Sequence, residues 1–246
     1  MRGARRGLFV TGTGTDVGKS VLAAAVCAGL ARRGERVAAL KPAVTGLDEE
    51  PGEWPHDHEL LASVASAGQA PEAIAPHRFG PPLSPHLAAE LAGVRIEPAG
   101  LLAAVDAAAA ESDAIVVEGV GGLMVPLTPG YLVRDLAVDL GMPVVVAART
   151  GLGTINHTLL TLDAARSAGL RVAGVAMTPW PVEPSTMELS NRETVERLGG
   201  IEVSRLPAAR PGALADVAEA LPLERWLGSG GGGVSSAASR RDVAAR

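Results

Sequence analysis

Three features of this sequence predict an α/β fold, a mostly parallel sheet with helices on both faces. Short apolar runs rich in Val, Ala and Ile alternate with longer Ala- and Leu-rich stretches from Leu8 to Leu227, the alternation that βαβ units produce. No linker interrupts them before Gly228, so residues 1–227 read as one domain. Residues 228–246, a Gly-Ser-Gly-Gly-Gly-Gly run followed mainly by Ser, Ala and Arg, read as a disordered tail. Finally, the first apolar run passes through a Gly- and Thr-rich turn straight into a helical stretch.

That first unit is the most informative. Leu8, Phe9 and Val10 form a strand, Thr11-Gly12-Thr13-Gly14-Thr15-Asp16-Val17-Gly18 a turn, and Ser20 to Arg32 a helix. In such a unit, successive backbone N–H groups face one anion and the helix start adds partial positive charge. Lys19 can then reach the β- and γ-phosphates of a nucleotide, and the Ser20 hydroxyl can ligate Mg²⁺. Five residues separate Gly12 from Gly18, one more than usual, so the turn is a variant P-loop. The expectation is a P-loop NTPase fold that binds a nucleoside triphosphate through Gly14, Thr15, Asp16, Val17, Gly18, Lys19, Ser20 and Val21.

The later elements follow in order. Gly34 breaks the helical pattern, and residues 36–40 read as a strand ending at Lys41-Pro42. Ligands of open parallel sheets lie beyond the carboxyl ends of strands, which places Lys41 at the site; a solvated surface lysine is the alternative. Residues 46–56 read as a mobile loop. Asp57 opens a helix and is either its N-cap or a site residue. His56-Asp57-His58 lacks a third ligand at zinc spacing. Ser84 caps a helix that starts at Pro85, and another runs from Pro98 to Glu111. The buried strand 113–117 ends at Glu118-Gly119-Val120-Gly121-Gly122. A carboxylate there is costly without a partner, and phosphate-bound Mg²⁺ would be one. A helix (133–140) and a strand (144–147) lead to Gly151-Leu152-Gly153-Thr154, a Gly-rich entry to the helix 155–168 and in principle a second anion site. His157 in that helix reads as structural. The strand 172–177 ends at Thr178-Pro179, and a helix spans 190–198. The strand 203–206 is closed by Pro207, and the last helices span 211–227.

Composition narrows the possibilities. Apolar residues make up 47% and aromatics only 2%, so the core is built from Ala, Val and Leu. A net charge of −5 argues against nucleic-acid or anionic-membrane surfaces. The single cysteine, Cys27, falls among apolar residues of the first helix and reads as a small buried hydrophobe. Three apolar residues before the P-loop are too few for a signal-peptide core, and no run approaches a membrane span, so the expected location is cytoplasmic.

Four segments, Gly12 to Ser20, Lys41-Pro42-Ala43-Val44-Thr45-Gly46, Glu118 to Gly122 and Gly153-Thr154-Ile155-Asn156-His157, together with Leu83-Ser84-Pro85-His86, closely resemble the dethiobiotin synthetase family. The resemblance runs from about Leu8 to about Leu227. It implies ATP- and Mg²⁺-dependent joining of CO₂ (from bicarbonate) to 7,8-diaminononanoate, through a carbamate and a carbamic–phosphoric anhydride. It implies that Lys19, Lys41 and Thr15 are catalytic, that Thr15 and Thr45 hold the carbamate, and that Ser20, Asp57 and Glu118 hold Mg²⁺. Nucleotide contacts then extend to Gly119, Val120 and Gly121 and, at the base, to Thr178, Pro179, Pro207, Ala208 and Ala209. The family is homodimeric, which implies that Gly153 and Thr154 receive the substrate's distal carboxylate across the interface. Two positions depart from the family: Asp16 stands where Glu is frequent, and Thr178 where an Asn commonly reads adenine. The second departure implies that other nucleoside triphosphates also serve.

Two other readings share parts of this pattern. A partitioning-type P-loop switch ATPase typically carries a further Lys near the P-loop start, but residues 11–13 are Thr-Gly-Thr, and Lys19 and Lys41 are the only lysines. An amidotransferase-type cobyrinate synthase needs a second domain with a nucleophilic Cys, whereas Cys27 lies in the first helix.

Overall fold

A computed structural model of the chain describes residues 6–228. The proposed tail, apart from Gly228 itself, lies outside the described residues. Six strands form the central sheet: β1 (Gly7–Gly12), β2 (Val37–Leu40), β3 (Ala114–Glu118), β4 (Val144–Ala148), β5 (Val172–Trp180) and β6 (Val203–Pro207). Their order is β6-β5-β4-β1-β3-β2, and every neighbouring pair is parallel. The main helices are α1 (Lys19–Arg32), α2 (Asp57–Val64), α3 (Pro85–Leu91), α4 (Pro98–Ala110), α5 (Val133–Leu140), α6 (Thr154–Ser167) and α7 (Thr186–Gly199).

Strand alternation divides the core into two layers. Leu8, Val10, Val37, Ala39, Val116, Val145 and Ala176 pack with α1, α2 and the C-terminal helices. Phe9, Ala38, Leu40, Ile115, Val117, Val146 and Val175 pack with α3 to α7. The expected doubly covered parallel sheet is thus present. Its small residues allow close helix approach: Ala23, Ala24 and Ala25 of α1 are fully buried, as is Cys27. Because β1 leads over α1 to β2 while β4 lies on the other side of β1, the sheet order reverses next to β1. That crevice is where parallel sheets place their ligands.

Three local readings are corrected. Asp57 is the first residue of α2 and not its cap; His56 holds the cap position, and its N–H donates to the Glu59 carboxylate at 3.3 Å. Helix α7 begins at Thr186, before the expected 190, because Ser185 and Glu188 form a capping box. Strand β5 does not stop at Met177 but runs through Thr178 and Pro179 to Trp180, which pairs with Pro207 across an irregularity in β6.

Candidate active site

The turn after β1 has a shape that only particular residues allow. A Cβ on Gly12 would lie 2.6 Å from Val17 Cγ2 and 2.8 Å from Lys19 Cγ. Gly18, at φ 83°, caps α1, and a Cβ there would meet the Thr178 methyl at 2.5 Å. Asp16 is the one non-glycine with positive φ (54°) among the described residues. The Gly119–Gly122 turn lies against this loop, since a Cβ on Gly122 would be 3.6 Å from the Gly12 carbonyl oxygen.

At this edge five side chains converge from the end of β3, from α1 and α2, and from the residue just beyond β2. Lys19 Nζ donates to the Gly14 carbonyl at 2.7 Å. Burial, followed by repulsion from Lys41, lowers its pKa below the ordinary lysine value. Lys41 Nζ donates to Glu118 Oε1 at 2.5 Å and pairs with Asp57 Oδ2 at 2.6 Å. It is 3% exposed, which overturns the solvated-lysine alternative. Burial disfavours its charge, but Asp57 and Glu118 more than offset this, and its pKa is raised. Ser20 Oγ donates to Glu118 Oε1 at 2.8 Å.

The two carboxylates differ in environment. Glu118 is fully buried, and burial pushes its pKa up, with Lys41 pulling against it and Asp57 adding to the rise. Its second oxygen, Oε2, is buried with no hydrogen-bond partner. Asp57 is partly open to solvent. Burial would raise its pKa, but the Lys41 charge and hydrogen bonds from Lys41 and Ser20 hold it down at about 2. Among the described residues no group of three or more His, Cys, Asp or Glu is placed to hold a metal by itself.

The remaining expected residues surround this cluster. Thr15 and Asp16 are exposed at the turn tip, Thr45 is half-buried just beyond the short strand Ala43–Val44, and Val21 is half-buried in α1. Val120 lies on the turn beside the P-loop. Thr178 is buried in β5 against Gly18, while Pro207, Ala208 and Ala209 lie at and beyond the end of β6. Gly153, at φ 89°, caps α6. The Thr154 hydroxyl is committed to the Arg149 carbonyl at 2.6 Å, so that end of α6 offers backbone and not a side-chain hydroxyl. His157 is exposed on the first turn of α6 beside Gly153, not part of the core.

Sequence reasoning missed Arg149, whose Nε donates to the Asp16 carbonyl at 3.0 Å. It stands just beyond β4 as Lys41 stands just beyond β2, so the strand-end argument that found the lysine also covers the arginine. It missed Asn191 too, which donates to the carbonyls of Thr150 (2.8 Å) and Gly151 (3.2 Å) from α7.

A parallel α/β sheet with a P-loop before α1, and two carboxylates and two lysines at the same edge, defines a P-loop nucleotide-binding protein. A family model described as an AAA domain matches residues 6–208. The ATP-dependent dethiobiotin synthetase BioD of Anaeromyxobacter dehalogenans strain 2CP-1 is 47% identical over 172 residues, 70% of this chain and 76% of that one. The corresponding protein of Anaeromyxobacter sp. strain Fw109-5 is 38% identical over 214 residues, 87% and 93% of the two chains. The chain belongs to the dethiobiotin synthetase family. The ParA family ATPase of Chlorobium tepidum TLS superposes with a TM-score of 0.53 at 14% identity, covering 90% of this chain and 92% of that one. That likeness extends to the fold alone.

Proposed function

We propose that the chain is a cytoplasmic homodimer that forms dethiobiotin from 7,8-diaminononanoate, CO₂ and ATP. The observation that carries the chemistry is the buried Lys41 ammonium bridging Glu118 and Asp57 beside the P-loop lysine. The unpartnered Glu118 Oε2, the Ser20 hydroxyl and the Asp57 carboxylate are hard oxygen donors, a set that fits Mg²⁺ completing its shell with phosphate oxygens and water. Bound there, Mg²⁺ would neutralise phosphate charge.

The chain's own groups account for the rest. Backbone N–H groups of residues 14–20 and the Lys19 ammonium hold the β- and γ-phosphates. One substrate amine takes up CO₂ as a carbamate, which the Thr15 and Thr45 hydroxyls orient. A carbamate oxygen attacks the γ-phosphorus, and the bond to the ADP oxygen breaks. Both reacting groups are anionic, so the transfer needs fixed positive charge, and Lys41 supplies it because its two carboxylates keep it protonated. The second amine then attacks the carbonyl carbon of the anhydride, expels phosphate, loses its proton and closes the ring.

The distal carboxylate is assigned to the backbone at Gly153 and Thr154 across a dimer interface. Supporting this, Leu152, Leu160 and Leu198 are 94%, 61% and 56% exposed at or on α6 and α7, and Leu160 and Leu198 line one cavity between these two helices. Phosphate release from ATP tests the whole reading. Strict dependence on diaminononanoate plus bicarbonate is expected, whereas dependence on a protein or membrane surface would favour a switch ATPase.

A further inference from the structure

We infer that Arg149 is a positioning residue for nucleotide binding, acting through the P-loop backbone at Asp16; the inference rests on ATP occupying that loop. Asp16 has φ 54°. Few residues other than glycine enter that region; Asp is among those that do, as single residues fixed by local hydrogen bonds. The hold is visible: Arg149 Nε donates to the Asp16 carbonyl at 3.0 Å. A charged donor makes this a stronger bond than a neutral one. Asp16 is followed by Val17, Gly18 and Lys19, whose N–H groups a P-loop turns toward phosphate, so the orientation of the Asp16 peptide bears on the cradle.

Arg149 is itself fixed at its backbone. Its carbonyl accepts from Thr154 Oγ1 at 2.6 Å. The next two carbonyls, Thr150 and Gly151, accept from the buried Asn191 amide of α7, and Thr150 Oγ1 donates to Glu188 at 3.2 Å. The chain of contacts therefore runs from α7 through the β4–α6 turn to the P-loop. The guanidinium is exposed, so its removal leaves no cavity and does not tax the fold.

Direct ATP binding, measured by calorimetry on the full chain without diaminononanoate, tests the inference. Arg149→Ala is expected to raise the ATP Kd about tenfold, the scale of one hydrogen bond to a charged group, to leave Tm within about 2 °C, as surface changes do, and to lower kcat less than it raises the KM for ATP. Arg149→Lys should recover part of the affinity. The diagnostic background is Asp16→Gly: glycine adopts positive φ unaided, so there Arg149→Ala should change Kd about twofold or less. An unchanged Kd in Arg149→Ala would overturn the inference. So would an equal loss with and without Asp16→Gly, which would place Arg149 on the nucleotide itself. A wild-type chain that binds no ATP would instead strike the proposed function.

Discussion

Replacing Lys41 by Met, close in length but without charge, tests both the catalytic and the structural consequence of the buried triad. Lys41 Nζ lies 2.5 Å from Glu118 Oε1 and 2.6 Å from Asp57 Oδ2. Asp57 is partly solvated, so its half of the pairing is screened and contributes little. Glu118 is wholly buried, and losing its partner leaves an uncompensated charge worth about 3–5 kcal/mol of stability near neutral pH. The pH dependence gives the signature. Glu118 already titrates above its ordinary value, and without Lys41 it rises further. Its folded form then binds a proton that the unfolded chain has released, so the variant gains stability as pH falls through that interval. Wild-type Asp57 behaves oppositely: its pKa of about 2 gives stability that is present above about 4 and lost as pH falls toward 2. The Glu118 effect narrows the gap between wild type and Lys41→Met as pH falls from 8 to 4, and Asp57 narrows it further only below about 4. Urea denaturation of the ligand-free proteins from pH 8 to pH 4 should show it, with turnover at pH 8 down by ~10² to 10³-fold and ATP affinity changed far less. Near-normal turnover, or a stability gap that widens in acid, would refute this account of Lys41.

Further outcomes follow from the same cluster and from the α6 face. Glu118→Gln should abolish turnover and weaken Mg²⁺-dependent ATP binding; an unchanged Mg²⁺ requirement in nucleotide titrations would remove Glu118 from the metal set. Analytical ultracentrifugation at working concentrations should find a dimer, and Leu160→Glu on the exposed face of α6 should shift it toward monomer with loss of activity; full activity in a monomer would contradict an active site shared between subunits.

How much of this was legible in the sequence depended on the range of the interaction. The P-loop was legible because a backbone anion cradle needs glycines before a helix, and Lys41 and Glu118 because each ends a buried strand on the ligand edge. Asp57 could not be settled locally. Whether it caps α2 or joins the site depends on Lys41 reaching it across the fold, and only the resemblance pointed to the site. Arg149 stayed hidden because it acts on a carbonyl 133 positions away, with no signal but its place after β4. The start of α7 was different: Ser185 and Glu188 were a readable box, masked by the polar composition around them.

Thr178 is where the fold changes an expectation most. As a loop residue after a strand it would be free to turn toward a base. Within β5 it is 2% exposed, with its methyl at the space a Gly18 side chain would need. Its part of the strand therefore lies against the P-loop, and one hydroxyl on a stiff β-branched stem is the most its side chain can offer a base. Adenine presents a donor and an acceptor, which an Asn amide meets together and a hydroxyl does not, while Pro179 contributes no N–H. Losing that paired reading costs ~1–3 kcal/mol of discrimination. CTP, GTP and UTP are accordingly expected to support turnover at measurable fractions of the ATP rate, and Thr178→Asn to raise the ATP preference about tenfold. The measurement is kcat/KM for the four triphosphates on both proteins. A wild-type preference for ATP above ~10³-fold, about 4 kcal/mol, would mean that groups other than residue 178, such as the backbone at Pro207 to Ala209, read the base unaided, and the argument from Thr178 would fail.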